Sequence, residues 1–413
     1  MLENKLSAFL QSYGFDRTYW IAYSGGLDSR VLLHCCNEIR KTQPFKFKAI
    51  HIHHGISSNA DDWLAHCSSV CGEYDMELFH FKVDARPEAG ESLEERARIK
   101  RYEKFITVLH PRDILLTAQH QDDQAETFFL QLLRGAGPKG LSAMPKVKTL
   151  GPGLQARPFL DVTCEELKSY ALQHQLTWVE DESNVDSHYP RNFIRHEVLP
   201  LLKKRWPAVT SLFARAAENC AETERLLVGF GETDLRRAKG SKTGTLSVKA
   251  LLELNTEKQR LILRMWLEQQ GVILPNAAKL YQIQSNALTA KQDRSPCIRW
   301  RNIEVRRYQD DLYVMKALPA HNSQKTFKWD GISPISVPEF GQIEALPVEL
   351  RQGEIEIRFR QGGEIFRLPN GQHHELRKFF QEKRIPPWER DRLPLIFADG
   401  ELVLIPGLLV VKK

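Results

Sequence analysis

Over residues 1 to about 200, short apolar runs alternate with longer stretches whose apolar positions recur every three or four residues. The runs at 19–23, 47–51, 77–83, 113–117 and 177–179 predict strands, and the stretches at 29–40, 60–74, 92–110, 123–133 and 165–175 predict helices. Strand and helix in turn define an α/β unit, a doubly wound parallel sheet covered on both faces. Ligands of such sheets sit beyond the carboxyl ends of the strands. From 208 to 290 the pattern is helical with charged faces, and 298–306 returns through Gln309-Asp310-Asp311 into 312–316 as a hairpin. Residues 317–350 are rich in Pro, Ser and Gly and read as a linker. Residues 351–413 form a small α+β unit, with strands at 354–360, 395–397 and 401–405 and a helix at 375–384. The predicted division is therefore 1–207, a mainly helical 208–316, the linker 317–350, and 351–413.

Composition narrows the class. Hydrophobic residues make up 42% and charged residues 27% of the 413 positions, as expected for a globular protein of two or three domains. The net charge of +6 fits a polyanionic partner without requiring one. No run approaches the roughly 20 apolar residues of a membrane span, and the charged amino end has no signal-peptide core, so no membrane and a cytoplasmic location are expected. Seven cysteines, none in a CxxC pair, predict reduced and mostly buried thiols.

Chemistry enters at Ser24-Gly25-Gly26-Leu27-Asp28-Ser29, which follows the apolar run ending at Tyr23 and precedes a helical stretch. Two glycines let the backbone turn sharply and approach a ligand closely. The helix start supplies unpaired N–H groups and positive dipole charge, an anion site. Ser24 and Ser29 add hydroxyls. Asp28 is the odd member: a carboxylate facing phosphate needs a cation between them, and Mg²⁺ held by Asp28 satisfies both. No Lys follows the glycines, so this is not the GxxxxGK[ST] loop.

A second group, Gln119-His120-Gln121-Asp122-Asp123-Gln124-Ala125-Glu126, is delivered by the strand at 113–117. Asp123 and Glu126 share a helix face. They could hold Mg²⁺, or bind and deprotonate a cationic nucleophile, and acidic residues also stabilise helix starts. A third group spans Glu91 to Tyr102. A fourth, Glu180-Asp181-Glu182-Ser183-Asn184, is followed by Arg191-Asn192-Phe193-Ile194-Arg195-His196, whose two arginines suit phosphate or a reacting nucleotide.

The SGGLDS segment resembles the pyrophosphate loop of the N-type ATP pyrophosphatases. Taken with HIHHGIS at 51–57, the Glu/Arg helix at 91–102, HQDDQAET, LLRGAG at 132–137, RPFL at 157–160, EDESN at 180–184 and RNFIRHEVLP at 191–200, the chain resembles the tRNA(Ile)-lysidine synthetase family over nearly its whole length. Leu376-Arg377-Lys378-Phe379-Phe380 and Pro386-Pro387-Trp388-Glu389-Arg390 are similar to that family's closing domain. Two positions depart: many members have His at Gln119 and Asn at His53, so no role is transferred to Gln119.

The resemblance implies a ligase that joins free L-lysine to the wobble cytidine of the CAU-anticodon isoleucine tRNA. ATP adenylates the base's 2-oxo oxygen with release of diphosphate, the lysine amine attacks the 2-position, and AMP leaves. Ser24, Gly25, Gly26, Leu27, Asp28 and Ser29 would bind ATP, with Asp28 on Mg²⁺. Asp123 and Glu126 would receive the lysine ammonium, and Arg195, with Arg191 beside it, would offset charge on the adenylate. The units 208–316 and 351–413 would dock tRNA, with candidate basic surfaces at Lys203-Lys204-Arg205-Trp206, Arg236-Arg237 with Lys239 and Lys242, 299–307, and Arg377-Lys378 with Lys383-Arg384. A homodimer is compatible with the resemblance. Three alternatives compete. A tRNA thiolase needs catalytic cysteines that the scattered thiols do not supply. A glutamine-dependent amidotransferase needs an amino-terminal Cys. A non-catalytic RNA-binding protein would not need the intact loop and acidic cluster.

Overall fold

The computed structural model describes residues 2–57, 59–86, 93–182, 186, 188–291, 294–367 and 372–411. The chain divides into two compact units, Met1–Leu226 and Leu227–Lys413.

The first unit is built on a six-stranded sheet of β1 (Thr18–Ala22), β2 (Lys46–His53), β3 (Leu78–Lys82), β4 (Ile114–Leu116), β5 (Val147–Leu150) and β6 (Gly153–Ala156). The spatial order is β3-β2-β1-β4-β6-β5. All neighbours are parallel except the β5–β6 hairpin. The helices up to Gln173 are α1 (Leu2–Gln11), α2 (Leu27–Arg40), α3 (Ala60–Glu73), α4 (Leu93–Val108), α5 (Gln121–Leu133), α6 (Pro138–Leu141) and α7 (Cys164–Gln173), and the long helix Val209–Arg237 begins in this unit. Alternation along the strands sorts side chains to two faces. Tyr19, Ile21, Tyr23, Ile114, Leu116 and Ala156 pack with Val31, Leu32 and Cys35 of α2 and with Leu167 of α7. Trp20, Ile50, Ile52 and Leu115 pack with Phe105 of α4 and with Leu109. The chain runs from β1 outward through β2 and β3, then crosses to β4 on the other side. The crevice between β1 and β4 is the position where ligands bind in open α/β sheets.

The predicted α/β unit is present, with one strand misplaced. Residues 177–179 form no strand; β6 occupies the slot beside β4, and antiparallel β5 takes the edge. Val179 instead donates its N–H to the Gly25 carbonyl at 3.0 Å. All seven cysteines are free thiols, with Cys35, Cys36, Cys67 and Cys71 buried.

In the second unit, helices Val248–Leu252, Thr256–Gln269 and Ala277–Gln282 cover an antiparallel sheet of Leu246–Ser247, Asp311–Lys316, Ile303–Tyr308 and Cys297–Trp300. Ile262, Leu263, Trp266, Val305 and Leu312 form the core. The expected hairpin gains a second turn at Arg301-Asn302, where Arg301 adopts φ 49°. A five-stranded antiparallel sheet follows, from Phe327–Trp329, Ile355–Arg358, Leu395–Ala398, Glu401–Ile405 and Leu409–Val410. Its first strand lies inside 317–350, so that stretch is not a linker. Trp329, Val337, Ile343, Leu346 and Leu350 are buried in the core of this sheet. Their burial outweighs a composition that favours turns.

Candidate active site

The glycine turn sits where β1 passes into α2. Gly26 is the cap residue of α2, and no side chain caps the helix's free N–H groups. Gly25 has φ +90°, and a Cβ there would lie 2.9 Å from Val179 Cγ2 and 3.0 Å from Cys67 Sγ. Both conformation and space therefore require glycine. Ser29 Oγ donates to the Gly26 carbonyl at 3.0 Å and stands 3.0 Å from Ser24 Oγ. The two hydroxyls brace the loop by accepting the Ser24 and Gly26 N–H groups at 3.2 and 3.4 Å, and the first N–H groups of α2 stay uncapped for an anion.

Asp28 projects from the first turn of α2. Its Oδ1 is buried without a hydrogen-bond partner. Burial pushes its pKa up, and the neighbouring His120 pulls it down less strongly. A carboxylate that the protein leaves uncompensated beside an anion site fits a hard cation shared with phosphate oxygens. Among the described residues, Asp28, His120 and Cys164 have donor atoms close enough to share an ion. Of these, only the carboxylate oxygen suits Mg²⁺.

From β4 the chain delivers His120, buried, with Nε2 at 3.6 Å from both Asp28 Oδ2 and Asp123 Oδ2. Asp123 Oδ2 accepts the His120 backbone N–H at 3.1 Å and so caps α5. Beyond it stands a charge quartet. Arg191 Nη2 and Arg195 Nη2 donate to Asp123 Oδ1 at 2.8 and 2.9 Å. Arg191 Nε and Arg195 Nε donate to the two Glu126 oxygens at 2.8 and 2.6 Å. Glu126 is 1% exposed. Burial pushes the Asp123 pKa up, and His120, Arg191 and Arg195 outweigh it, leaving it below the ordinary value. For Arg195 burial lowers the pKa and the Glu126 hydrogen bond and charge raise it further, to a net increase. The arginines sit on Pro190–Phe193 and on the π-helical turn Ile194–Val198, a local irregularity common at functional sites.

The structure thus brings together Asp28, Asp123, Glu126 and Arg195, all foreseen, and places Arg191 as an equal member. The arginine pairing of Asp123 and Glu126 was not foreseen, because it joins side chains 65 to 72 positions apart. The i,i+4 repeat of Arg191 and Arg195 was the only sequence signal for it. Asp122 turns away, accepting the Cys164 N–H at 3.0 Å and pairing with Lys203 at 2.7 Å. Lys203 is therefore partly committed within the fold. Gln119 Oε1 is buried without a partner. Ser183 and Asn184 lie outside the described residues, as do Glu91 and Ser92.

The basic stretch 299–307 also departs from expectation. Arg299 and Arg306 neutralise the fully buried Glu304, each at 2.8 Å. Arg307 donates to the carbonyls of Ala287, Leu288 and Ala290, closing the end of the preceding helix. Arg236, Arg237, Lys239, Lys242, Arg377, Lys378, Lys383 and Arg384 remain exposed.

A glycine turn feeding a helix at the switch point of a parallel sheet, with an Asp at its first turn whose Oδ1 has no partner, defines a nucleotide-binding PP-loop domain. Residues 1–202 match the family described as PP-loop domain, 246–313 that described as TilS substrate binding domain, and 355–413 that described as TilS substrate C-terminal domain. The tRNA(Ile)-lysidine synthase of Coxiella burnetii is 40% identical, over 98% of this chain and 91% of that protein. The tRNA(Ile)-lysidine synthase of Methylococcus capsulatus is 40% identical over 94% and 91%, and that of Shigella flexneri 37% over 96% and 93%. The chain belongs to the tRNA(Ile)-lysidine synthase family. No helix among the described residues is long and apolar enough to cross a membrane.

Proposed function

We propose that this protein joins free L-lysine to the wobble cytidine of the CAU-anticodon isoleucine tRNA, consuming ATP and releasing AMP and diphosphate. The product base, lysidine, changes codon reading from AUG to AUA and identity from Met to Ile. The observation that carries this proposal is the uncompensated Asp28 carboxylate at the glycine turn, linked through His120 to the Asp123–Glu126–Arg191–Arg195 quartet.

The uncapped N–H groups at the start of α2, with the Ser24 and Ser29 hydroxyls, receive the β,γ-phosphates. Asp28 would hold Mg²⁺, which when bound neutralises phosphate charge. The cytidine 2-oxo oxygen attacks the α-phosphorus; an O–P bond forms and diphosphate leaves. The lysine amine then adds at the 2-position, gives up a proton, and AMP departs. Arg195, with Arg191, faces the charge that develops on the adenylate.

Asp123 and Glu126 remain the proposed lysine-binding and proton-accepting groups, under a condition. Both are held by guanidinium donors in the unliganded chain, so the ammonium must displace or share those bonds. An extruded base in a single-stranded loop reaches such a crevice at lower cost than one in a duplex. The exposed cations at 236–242 and 377–384 are the proposed RNA-docking groups, with domain boundaries near 207 and 316. Pairing of two copies is compatible with this mechanism and not required by it. The thiolase alternative is disfavoured because burial pushes the Cys164 thiol up to about 11 and Cys67 to about 12.

The test is AMP release measured with lysine and transcript added together and singly. Release that needs both supports the assignment. Release independent of lysine would exclude it.

A further inference from the structure

On the sheet face opposite α2, at the carboxyl ends of β4 and β6, Arg98, Lys148 and Arg157 gather around Tyr102. Alternation places Thr117 after β4, and Gln155 and Arg157 in and after β6, on the face that α4 covers. Gln155 is fully buried and donates through Nε2 to Tyr102 Oη at 3.1 Å and to Thr117 Oγ1 at 3.0 Å. Arg157 is 2% exposed; its Nη1 donates to the Pro145 carbonyl at 2.7 Å, and its Nε is buried with no partner. Lys148 of β5 lies 5.2 Å from the Tyr102 ring centre and Arg98 of α4 lies 4.9 Å from it. Among the described residues none of Arg98, Lys148 and Arg157 has an acidic partner within ion-pair distance.

The electrostatics agree. Burial pushes the Tyr102 phenol up, but Arg98, the Gln155 hydrogen bond, Arg157 and Lys148 outweigh it and leave the pKa below the ordinary tyrosine value. Burial depresses Lys148 most, Tyr102 opposes it, and the charges of Arg157 and Arg98 add to the net lowering. A buried guanidinium with an unmade bond costs free energy unless a ligand completes it. Gln155 Nε2 donates to the phenol oxygen, so the oxygen's own proton is available to an incoming acceptor. The nucleotide loop has its own donors one strand away, so this second set points to a different anion.

We propose that Arg157, Lys148, Arg98 and the Tyr102 hydroxyl form an oxyanion site for the second substrate, separate from the phosphate loop. The site rests on the ligase assignment above. It takes either the α-carboxylate of the free amino acid or a phosphodiester beside the target nucleotide. These groups position the substrate through hydrogen bonds and charge and make no covalent bond to it. A guanidinium or ammonium paired with an oxyanion contributes enough that its loss weakens binding about 10- to 100-fold.

The test uses the full chain with K148Q, R98Q and Y102F, which alter the rim, and R157K, which keeps the buried charge. Lysine KM, lysinamide KM, affinity for an anticodon stem-loop and affinity for a non-hydrolysable ATP analogue are measured for each. If the carboxylate is the ligand, the variants raise the lysine KM about tenfold and lose the wild-type preference for lysine over lysinamide. If a phosphodiester is the ligand, stem-loop affinity falls by a similar factor with a shallower salt dependence, and both KM values hold. In either case ATP-analogue affinity stays as in wild type. Unchanged lysine KM and unchanged stem-loop affinity in K148Q, R98Q and Y102F would overturn the proposal. A wild-type protein that makes no lysidine yet loses stem-loop affinity in these variants would overturn the ligase assignment and leave the oxyanion site standing.

Discussion

The crevice holds two sets of carboxylates treated in opposite ways. Asp28 stands at the glycine turn with one oxygen unpartnered and a raised pKa. Asp123 and Glu126, across His120, are saturated by two arginines, and the Asp123 pKa is depressed. The first carries a cost that an external cation removes. The second is neutral within itself and holds its geometry without ligand. A site that must fire only when loaded needs both: an empty socket for metal and phosphate, and a rigid wall that fixes where the reacting base and amine arrive.

The contrast predicts opposite responses to mutation. Glu126→Ala leaves two partly buried guanidinium groups with Asp123 as their remaining carboxylate. It should lower unfolding stability by about 1.5–3 kcal/mol, measured by denaturant titration. Asp28→Asn should instead leave the chain as stable as wild type or slightly more so, because it removes a charge whose Oδ1 is buried without a partner. Its AMP formation should fall about 10²–10³-fold or more. If Asp28→Asn unfolded the protein and Glu126→Ala did not, the two sites would have been assigned the wrong way round.

Gly25→Ala should cost about 1–3 kcal/mol, since it combines a positive φ with overlap on Val179 and Cys67. Gly135→Ala, also at positive φ but with open space around it, should cost less. Equal losses at the two positions would remove the close approach of residues 177–179 as a reason for the glycine.

Acid titration sharpens the comparison. Asp28 has a raised folded pKa, so its stability contribution is present below the unfolded value, about 3.9, and is lost as pH rises through the folded value. Nucleotide binding, which needs the ionised form, should therefore fail on acidification while pH is still above the ordinary aspartate range. Asp123 is depressed, so its contribution is present above the unfolded value and is lost only as pH falls through the lower folded value. Activity should fall at higher pH than stability does, as read by kcat/KM for ATP and by thermal unfolding on the same samples. Coincident limbs would contradict this separation.

The same division decided what could be read from the chain. The turn at Gly25 and Gly26 was legible because its chemistry is local: strand, tight bend, helix start and anion site lie within ten positions. Asp123 and Glu126 were legible as a pair for the same reason. Their arginine partners were not, because the quartet closes only when the π-helical turn at Ile194–Val198 meets α5. The β5–β6 hairpin escaped notice because Lys148, Thr149 and Gln155 interrupt its apolar pattern, and Gly151-Pro152 resembles any loop. Residues 317–350 misled in the other direction. Their strands are three residues long, and Trp329, Val337 and Ile343 are too widely spaced to register as a period.

The measurement closest to the central claim is mass analysis of nucleosides from an isoleucine-tRNA anticodon stem-loop incubated with ATP, Mg²⁺ and labelled lysine. Wild-type protein should convert the wobble cytidine into a labelled adduct heavier by one lysine less water, and Asp28→Asn should leave the cytidine unchanged. Labelled product from Asp28→Asn at the wild-type rate would show that the glycine turn does not hold the reacting nucleotide, and would contradict the account.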